Sequence, residues 1–313
     1  MSGEKRILQL LVDAVAGGVF PGGVLLVARQ KKTLLCEAVG NGAVLPAPRL
    51  MTSQTRFDLA SLTKPLATAL SVLCLVSQEK LQLDDSLAKL LPSTSVPQDK
   101  KEITLRQLLC HCSGLPAWKP YYLSLQTLPL KDRTASLRQM IVQEPLDSSP
   151  GTTTTYSDLG FLVIEWILEQ ISGQNLHHFT RENLFGPLGC ATPAFRPLDR
   201  RSVQDPCEFA DTEYCSWRAT TLSGQVHDEN AYVLGGVAGH AGLFGTALEV
   251  KCVLDAILDT LSNEDTSTPW SRERLSEFLL PARLDPASTW ALGFDTPASS
   301  DSSAGHHFSC LLY

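Results

Sequence analysis

A serine and a lysine stand three residues apart at Ser61 and Lys64. Side chains at positions i and i+3 share one face of a helix, so this hydroxyl and this amine point into the same space. A serine hydroxyl becomes an effective nucleophile when a neighbour removes its proton, and a buried lysine in its neutral form can do so. The alternative interpretation is an N-cap serine followed by a surface lysine, because Ser-x-x-Lys alone is a weak pattern.

Pro65 indicates where the helix that carries this pair begins. Proline has no N–H to give to the preceding turn, so it fits best near a helix start. Ser61 then lies at the N-terminal end, where unpaired backbone N–H groups and the helix dipole favour developing negative charge.

A second polar group precedes another helical stretch. Tyr156, Ser157 and Asp158 follow the Pro150-Gly151 turn and stand directly before an apolar periodic segment. In that position the phenol of Tyr156 could reach the Ser61 site as a proton shuttle. Tyr156 could equally be a tyrosine at the edge of the core, with Asp158 as the N-cap of the helix.

The N-terminal part of the chain predicts a helix followed by a hairpin. Apolar residues recur at helical spacing over residues 6–16. Val24–Arg29 and Thr33–Val39 read as two short β-strands, with Gln30–Lys32 as a hairpin loop that lacks glycine.

The middle of the chain is predominantly helical. An apolar stripe begins near residue 59, and another covers 159–172 and is closed by Gly173. A further helix is predicted from about Thr246 to Leu261, with Thr246 as its N-cap. A helical patch follows at Arg272–Leu280, and Trp290–Phe294 is a possible strand.

Composition excludes several classes of protein. The 313 residues carry a formal net charge of −7, and no run of lysine or arginine exceeds two residues, so a nucleic-acid partner is not expected. No apolar stretch approaches the roughly 18 residues of a membrane span, and the N-terminus lacks the features of a signal peptide. Nine scattered cysteines indicate reduced thiols and a cytoplasmic location.

Several ordered motifs together resemble one family. Ser-x-x-Lys at a helix start followed by Tyr-x-Asn, or by a near variant such as Tyr156-Ser157-Asp158, is typical of the penicillin-binding-protein and serine β-lactamase group, which includes class C β-lactamases, D-Ala-D-Ala carboxypeptidases and related esterases. The resemblance covers about Pro21 to Phe294. Its supporting stretches are 103–109 running into Ser113–Pro116, Phe185–Gly189, 226–230 and Gly235–Ala247.

The resemblance implies an α+β fold of the β-lactamase/transpeptidase type. An antiparallel sheet would pack on a helical region inserted after the hairpin, with residues 1–295 as the catalytic domain and 296–313 as an irregular tail. Ser61 would be acylated, Lys64 and Tyr156 would handle protons, and the backbone N–H of Ser61 would form half of the oxyanion hole.

Asp158 departs from the family pattern, which most often has asparagine at this position. An aspartate brings a charge and no N–H donor, so a contact with a substrate amide is not assured. Asp158 could instead pair with Lys64 and hold the amine in its charged form, which makes it a worse base.

A third family motif, Lys/His-Thr/Ser-Gly, has no exact counterpart in these 313 residues. The nearest candidate is His240-Ala241-Gly242, although a helix beginning near Thr246 leaves no room for the strand pair that follows that motif. The alternative is that His240 belongs to a wall of the site and that the chain ends at Tyr313 before the motif, without its C-terminal strands. On that expectation the product is impaired or poorly folded.

The sequence therefore predicts a serine hydrolase that acts on a small-molecule acyl ester, amide or lactam. No cofactor and no metal are expected, because Cys110, His111 and Cys112 point apart on a helix and no second ligand pair has matching spacing. Trp118 could form a wall of the substrate cleft or lie at the edge of the core. The second hypothesis is a non-catalytic member that binds a partner or is defective.

Overall fold

The computed structural model describes residues 3–92, 96–198, 209–262 and 267–297. Its α-helices are α1 (Gly3–Ala16), α2 (Leu70–Ser77), α3 (Leu87–Leu90), α4 (Leu105–Leu109), α5 (Tyr122–Leu125), α6 (Leu130–Gln143), α7 (Asp158–Ser172), α8 (Leu176–Phe179), α9 (Glu229–Val233), α10 (Ala247–Leu261) and α11 (Arg272–Phe278). Its strands are β1 (Gly22–Arg29), β2 (Lys32–Ala43), β3 (Arg49–Leu50), β4 (Phe57–Asp58), β5 (Ala194–Phe195), β6 (Asp211–Cys215), β7 (Thr220–Ser223) and β8 (Leu243–Gly245).

The N-terminal helix and hairpin are confirmed. β1 and β2 pair antiparallel from Gly22 opposite Gly40 to Arg29 opposite Lys32. Gln30 and Lys31 form a two-residue turn with φ angles of 48° and 64°. A left-handed conformation at both turn positions matches the twist of the flanking strands, and these two residues adopt it without glycine.

The α+β fold is confirmed, but its strands form three small antiparallel sheets instead of one. Their orders are β1-β2-β3, β4-β8-β5 and β6-β7. In the second sheet Asp58 pairs with Phe244. This pairing places the chain just before Ser61 beside the segment that follows His240.

The core is helical and surrounds the segment that carries the serine and lysine. A single 3₁₀ turn at Ala60–Leu62 leads into a π-helical stretch at Lys64–Ala69 and then into α2. All residues from Lys64 to Val76 are buried. α7 packs against this segment and against α4, and contributes a nearly continuous run of buried side chains between Leu159 and Leu168.

The stretch Ala60–Ser77 is long and apolar enough to cross a membrane by length and composition. By length and composition, the expectation that the chain has no stretch able to span a membrane is therefore wrong. Within the fold, 78% of this stretch is buried, as befits a central core helix.

Two further expectations are corrected by the fold. Trp290–Phe294 is not a strand, because Gly293 adopts a φ of 86° and Trp290 forms a single bridge to Asp295 across a tight turn. Cys190 and Cys252 are joined by a disulfide, so the cysteines are not all reduced. The expected irregular tail at 296–313 lies outside the described residues from 298 onward.

The start of α10 was correctly predicted from the sequence. Thr246 is the N-cap, and its hydroxyl accepts from Glu249 N while the Glu249 carboxylate accepts from Thr246 N. Such a reciprocal pair satisfies two backbone N–H groups that the helix cannot pair internally.

Replacing Thr246 by alanine removes the hydroxyl acceptor of this capping box. We expect the free energy of unfolding to fall by about 1 kcal/mol, the usual value of an N-cap side chain. Urea denaturation followed by circular dichroism measures this change. Thr246→Ser keeps the hydroxyl and is the matched control; equal stability of the alanine and serine variants would contradict the prediction.

Candidate active site

Ser61 lies on a strained turn at the entrance to the core. The preceding residue, Ala60, has a φ of 45°, which costs a residue with a Cβ on the order of 1 kcal/mol. The Asp58 carboxylate compensates by accepting hydrogen bonds from Ala60 N at 2.9 Å and from His227 N at 2.7 Å. Burial raises the pKa of Asp58, and these two N–H donors oppose the rise. The turn leaves Ser61 partly exposed while the lysine that follows is buried.

Lys64 reaches the serine as its spacing predicts. Its Nζ atom donates to Ser61 Oγ at 3.1 Å and to the backbone oxygen of His240 at 3.4 Å. A third oxygen, Asp158 Oδ1, lies 2.6 Å from Nζ. Only 3% of the lysine side chain is exposed. The amine is thus surrounded by three oxygen atoms in a site from which water is nearly excluded.

Asp158 occupies the first position of α7 and is not its N-cap. Ser157 performs the capping role, because its hydroxyl accepts from Gly160 N at 3.1 Å and donates to Pro116 O at 2.7 Å. The interpretation of Asp158 as a cap is therefore wrong, and its carboxylate is free to face Lys64. The Asp158 Oδ1 atom contacts Lys64 Nζ without the angles of a hydrogen bond, so the contact is an ion pair. This is the pairing that the sequence offered as an alternative to substrate contact.

Tyr156 approaches the lysine through the face of its ring. Nζ of Lys64 lies 4.7 Å from the ring centroid, within the range of a cation–π interaction. The ring also packs against His111, at 4.6 Å between centroids, and against Trp290 at 5.6 Å. Tyr156 is 36% exposed, so one side of this aromatic cluster faces solvent. The structure brings Tyr156 to the site, while its role as a proton shuttle stays a prediction.

His240 is enclosed beside the lysine, and its side chain pairs with Asp228 instead of with Lys64. The residue is 1% exposed, and its Nε2 atom lies 2.9 Å from Asp228 Oδ1. Burial disfavours the imidazolium, but the Asp228 carboxylate outweighs it and raises the pKa of His240. The same contact overcomes burial at Asp228 and lowers the pKa of that carboxyl to about 2. His240 precedes β8 in a turn; its place in a wall of the site and its contact with a substrate both stay predictions.

Trp118 stands on the loop that leads toward the site. It is 43% exposed, and its neighbour Ala117 accepts a hydrogen bond from Asp158 N at 2.8 Å. The backbone of this loop therefore anchors the start of α7. A cleft wall formed by the indole stays a prediction.

His111 is a site residue that sequence reasoning considered only as a metal ligand. Its Nδ1 atom accepts from Ser157 N at 3.0 Å, so the Ser157 backbone occupies one of its two nitrogens. Burial lowers the pKa of His111 to about 3, and the charge of Lys64 adds to this effect. A neutral imidazole beneath Tyr156 orients the ring and the start of α7 together. In the sequence, His111 stands just before the Ser113-Gly114 turn, and that position alone does not predict the contact with Ser157.

One group of described residues could hold a metal ion by its spacing: the side-chain ligand atoms of Asp158, Asp228 and His240 lie within 4.8 Å of one another. Two carboxylates and an imidazole could hold a divalent cation by their chemistry. In this fold each already has a partner, since Lys64 pairs with Asp158 and His240 pairs with Asp228. The arrangement alternates cationic and anionic groups and fits a proton-handling network better than a metal centre.

Comparison with known proteins places this geometry in a family context. Residues 7–309 match the family model described as Beta-lactamase. The chain is 32% identical over 317 residues to a protein of Bacillus subtilis (strain 168) named N-acetylmuramyl-L-alanine amidase, with coverage of 93% of this chain and 70% of the relative.

Two solved structures share the fold. EstCE1, described as a hydrolase with promiscuous acyltransferase activity, aligns with a TM-score of 0.73 at 20% identity, over 97% of this chain and 86% of its own. A penicillin-binding protein homologue from Pyrococcus abyssi aligns with a TM-score of 0.71 at 18% identity, over 94% of this chain and 65% of its own. The chain thus spans about two thirds of the length of that homologue.

Replacing Asp158 by asparagine removes the negative charge beside Lys64. An amide cannot form the ion pair that holds Nζ at 2.6 Å from position 158, so the amine is free to approach Ser61 Oγ more closely. We expect acylation of Ser61 by an activated ester at pH 7 to rise on the order of tenfold, equivalent to about 1.4 kcal/mol. Stopped-flow or mass-spectrometric acylation rates measure this change. The exposed Asp147→Asn is the matched control, and a slower Asp158→Asn would contradict the prediction.

The Asp228–His240 pair makes stability depend on pH. A raised pKa at His240 stabilises the fold fully below its ordinary value of 6.5, and this contribution is lost as pH rises through the folded value. The lowered pKa of Asp228 contributes stability above the ordinary value of 3.8, and this contribution is lost as pH falls toward about 2. As pH rises from 6.5 through the folded value of His240, we therefore expect the free energy of unfolding to fall. Chemical denaturation of His240→Gln should show a flatter profile, and equal slopes would contradict this assignment.

Proposed function

The chain belongs to the β-lactamase family, and on this basis we propose that it is a serine hydrolase that cleaves an acyl ester, amide or lactam through an acyl-enzyme on Ser61. The observation that carries the proposal is the 3.1 Å hydrogen bond between a partly exposed Ser61 Oγ and the buried Lys64 Nζ. Nucleophile and base within hydrogen-bond reach, with the base oriented by further groups, is the arrangement that covalent acyl transfer requires.

The chemistry follows from this pair. Lys64 in its neutral form accepts the Ser61 proton while Oγ forms a bond to the substrate carbonyl carbon, giving a tetrahedral oxyanion. The oxyanion collapses, the bond to the leaving group breaks, and Lys64 or a neighbouring donor returns the proton to that group. A water molecule then attacks the acyl-enzyme by the reverse route and releases the acid.

Asp158 limits this chemistry in the resting protein. Its carboxylate holds the Lys64 Nζ atom at 2.6 Å, and this contact competes with the approach of the amine to Ser61 Oγ. We propose that the chain therefore reacts slowly near neutral pH.

We propose a small-molecule substrate and a cytoplasmic location, with no nucleic-acid or membrane partner. The net charge of −7 argues against a polyanion as partner. Among the described residues, five cysteines are free, which fits a reducing compartment; the Cys190–Cys252 bond is the opposing observation. The amidase named among the relatives supports amide as well as ester bonds as targets.

A non-catalytic binding protein is the second candidate. The observation in its favour is the Lys64–Asp158 ion pair, which occupies the amine that the hydrolase needs as its base. The aromatic face of Tyr156 would then serve to bind a ligand without turnover.

Labelling with a fluorophosphonate probe and turnover of a chromogenic acyl ester distinguish the two functions. We expect the wild-type chain to gain one probe adduct on Ser61, Ser61→Ala to gain none, and Lys64→Met to react about 100- to 10,000-fold more slowly, the usual contribution of a proton-transfer group. Peptide mapping by mass spectrometry locates the adduct.

Ser216→Ala, at an exposed serine, is the control and should label as the wild type does. Labelling that persists in Ser61→Ala would refute the assignment of the nucleophile. A cooperatively folded wild-type protein that gains no adduct would instead support the binding protein.

A further inference from the structure

Glu165 lies on α7 seven residues after Asp158, on the side of the helix that faces the segment around His240. Its Oε2 atom accepts a hydrogen bond from Gly239 N at 2.8 Å. A Cβ atom on Gly239 would stand 2.2 Å from Phe161 O, so this segment lies directly against the helix backbone. A carboxylate on a rigid helix therefore anchors the peptide that precedes His240.

The anchored peptide holds the catalytic segment from its other side. Gly239 O accepts from Thr68 Oγ1 at 2.6 Å, and His240 O accepts from Lys64 Nζ at 3.4 Å. Thr68 and Lys64 lie one turn apart in the same helical stretch. The His240 carbonyl contacts the lysine amine, the Gly239 carbonyl holds Thr68 one turn later, and Glu165 anchors the peptide that joins these two residues.

We propose that Glu165 is a positioning residue, which through the Gly239 N–H holds the His240 carbonyl against Lys64 and so keeps the amine directed at Ser61. This inference rests on the proposed hydrolase function. Glu165 touches none of the reacting atoms, and its effect passes entirely through the 239–240 peptide.

The charge on Glu165 varies in the physiological range. Burial raises its pKa to about 7, and the neighbouring Glu169 carboxylate adds to the rise; Gly239 N–H, Arg138 and His240 oppose it. Above that pH the anchor is a charge-assisted hydrogen bond, which is about twice as strong as a neutral one. Below it the carboxyl is protonated and the anchor weakens.

The surroundings give this group access to water. Glu165 borders a cavity of about 250 Å³ that Glu169, His177 and His178 also line. Arg138, from α6, pairs with Glu169, and within the described part of the chain Glu165 forms no ion pair of its own. The proton on Glu165 can therefore exchange with solvent from the side opposite the active site.

The test compares kcat and KM for a chromogenic ester between pH 5.5 and 9 in Glu165→Gln, Glu165→Ala and wild type. In wild type, kcat should decline below pH 7 as Glu165 is protonated. Glutamine keeps an acceptor for Gly239 N and cannot ionise, so kcat at pH 8 should stay within about threefold of wild type and the decline in kcat below pH 7 should become flatter. Alanine removes the acceptor, so kcat should fall about tenfold at every pH with KM within about twofold.

Glu169→Gln is the matched control, one turn farther along the same helix face. This variant keeps the Glu165 carboxyl, so the decline in kcat should persist. It should move to lower pH, because the negative charge of Glu169 no longer raises the pKa of Glu165. A Glu165→Gln profile that keeps the wild-type decline would overturn the proposal. Loss of activity only in proportion to a fall in Tm would overturn it as well.

Hydrogen exchange separates this inference from the proposed function. If wild type fails to acylate Ser61, the hydrolase function fails, and exchange in the peptide 236–244 still tests the anchor. Glu165→Ala should then exchange at least about tenfold faster there than wild type, with Glu169→Gln unchanged. Equal exchange in Glu165→Ala and wild type would overturn the positioning role independently of catalysis.

Discussion

The buried amine of Lys64 is the constraint on which the rest of the site depends. An ammonium removed from water must be surrounded by oxygen atoms, and here a serine hydroxyl, a backbone carbonyl and a carboxylate come from three separate segments. Each segment is also fixed by hydrogen bonds of its own, and the three meet at this one amine. The same contact sets a conflict in this protein, because the carboxylate that pairs with the amine competes with Ser61 for it.

Helix α7 organises both sides of this arrangement. Its first residue, Asp158, faces the amine directly, and Glu165 two turns later holds the peptide that contributes the carbonyl. Ser157 fixes the helix start by capping it, and His111 fixes Ser157 in turn. One element thus supports two of the three oxygen atoms around Lys64, and its nearly continuous run of buried apolar residues fixes it in the core.

Local patterns in the sequence predicted the parts of the site that depend on neighbouring residues. The three-residue spacing of Ser61 and Lys64, the hairpin at residues 22–43 and the Thr246 cap follow from short-range geometry, and the structure confirms them. Contacts between distant residues were not predictable in this way. The bond from Gly239 to Glu165 joins residues 74 positions apart, and no periodic pattern distinguishes a core-facing glutamate from a solvated one. Trp290–Phe294 was mistaken for a strand because its apolar residues outweighed the turn that Gly293 allows.

The cluster of Trp290, His111 and Tyr156 has a spectroscopic consequence. The indole of Trp290 packs edge-on against His111 at 4.5 Å between centroids and tilts against the Tyr156 ring, which borders both solvent and the lysine. An indole in such close contact with a neighbouring imidazole and phenol emits light whose intensity and wavelength depend on that packing. A molecule bound against the exposed part of Tyr156 is expected to change the surroundings of this indole, so emission from Trp290, one of five tryptophans, could follow occupancy of the cleft independently of bond cleavage.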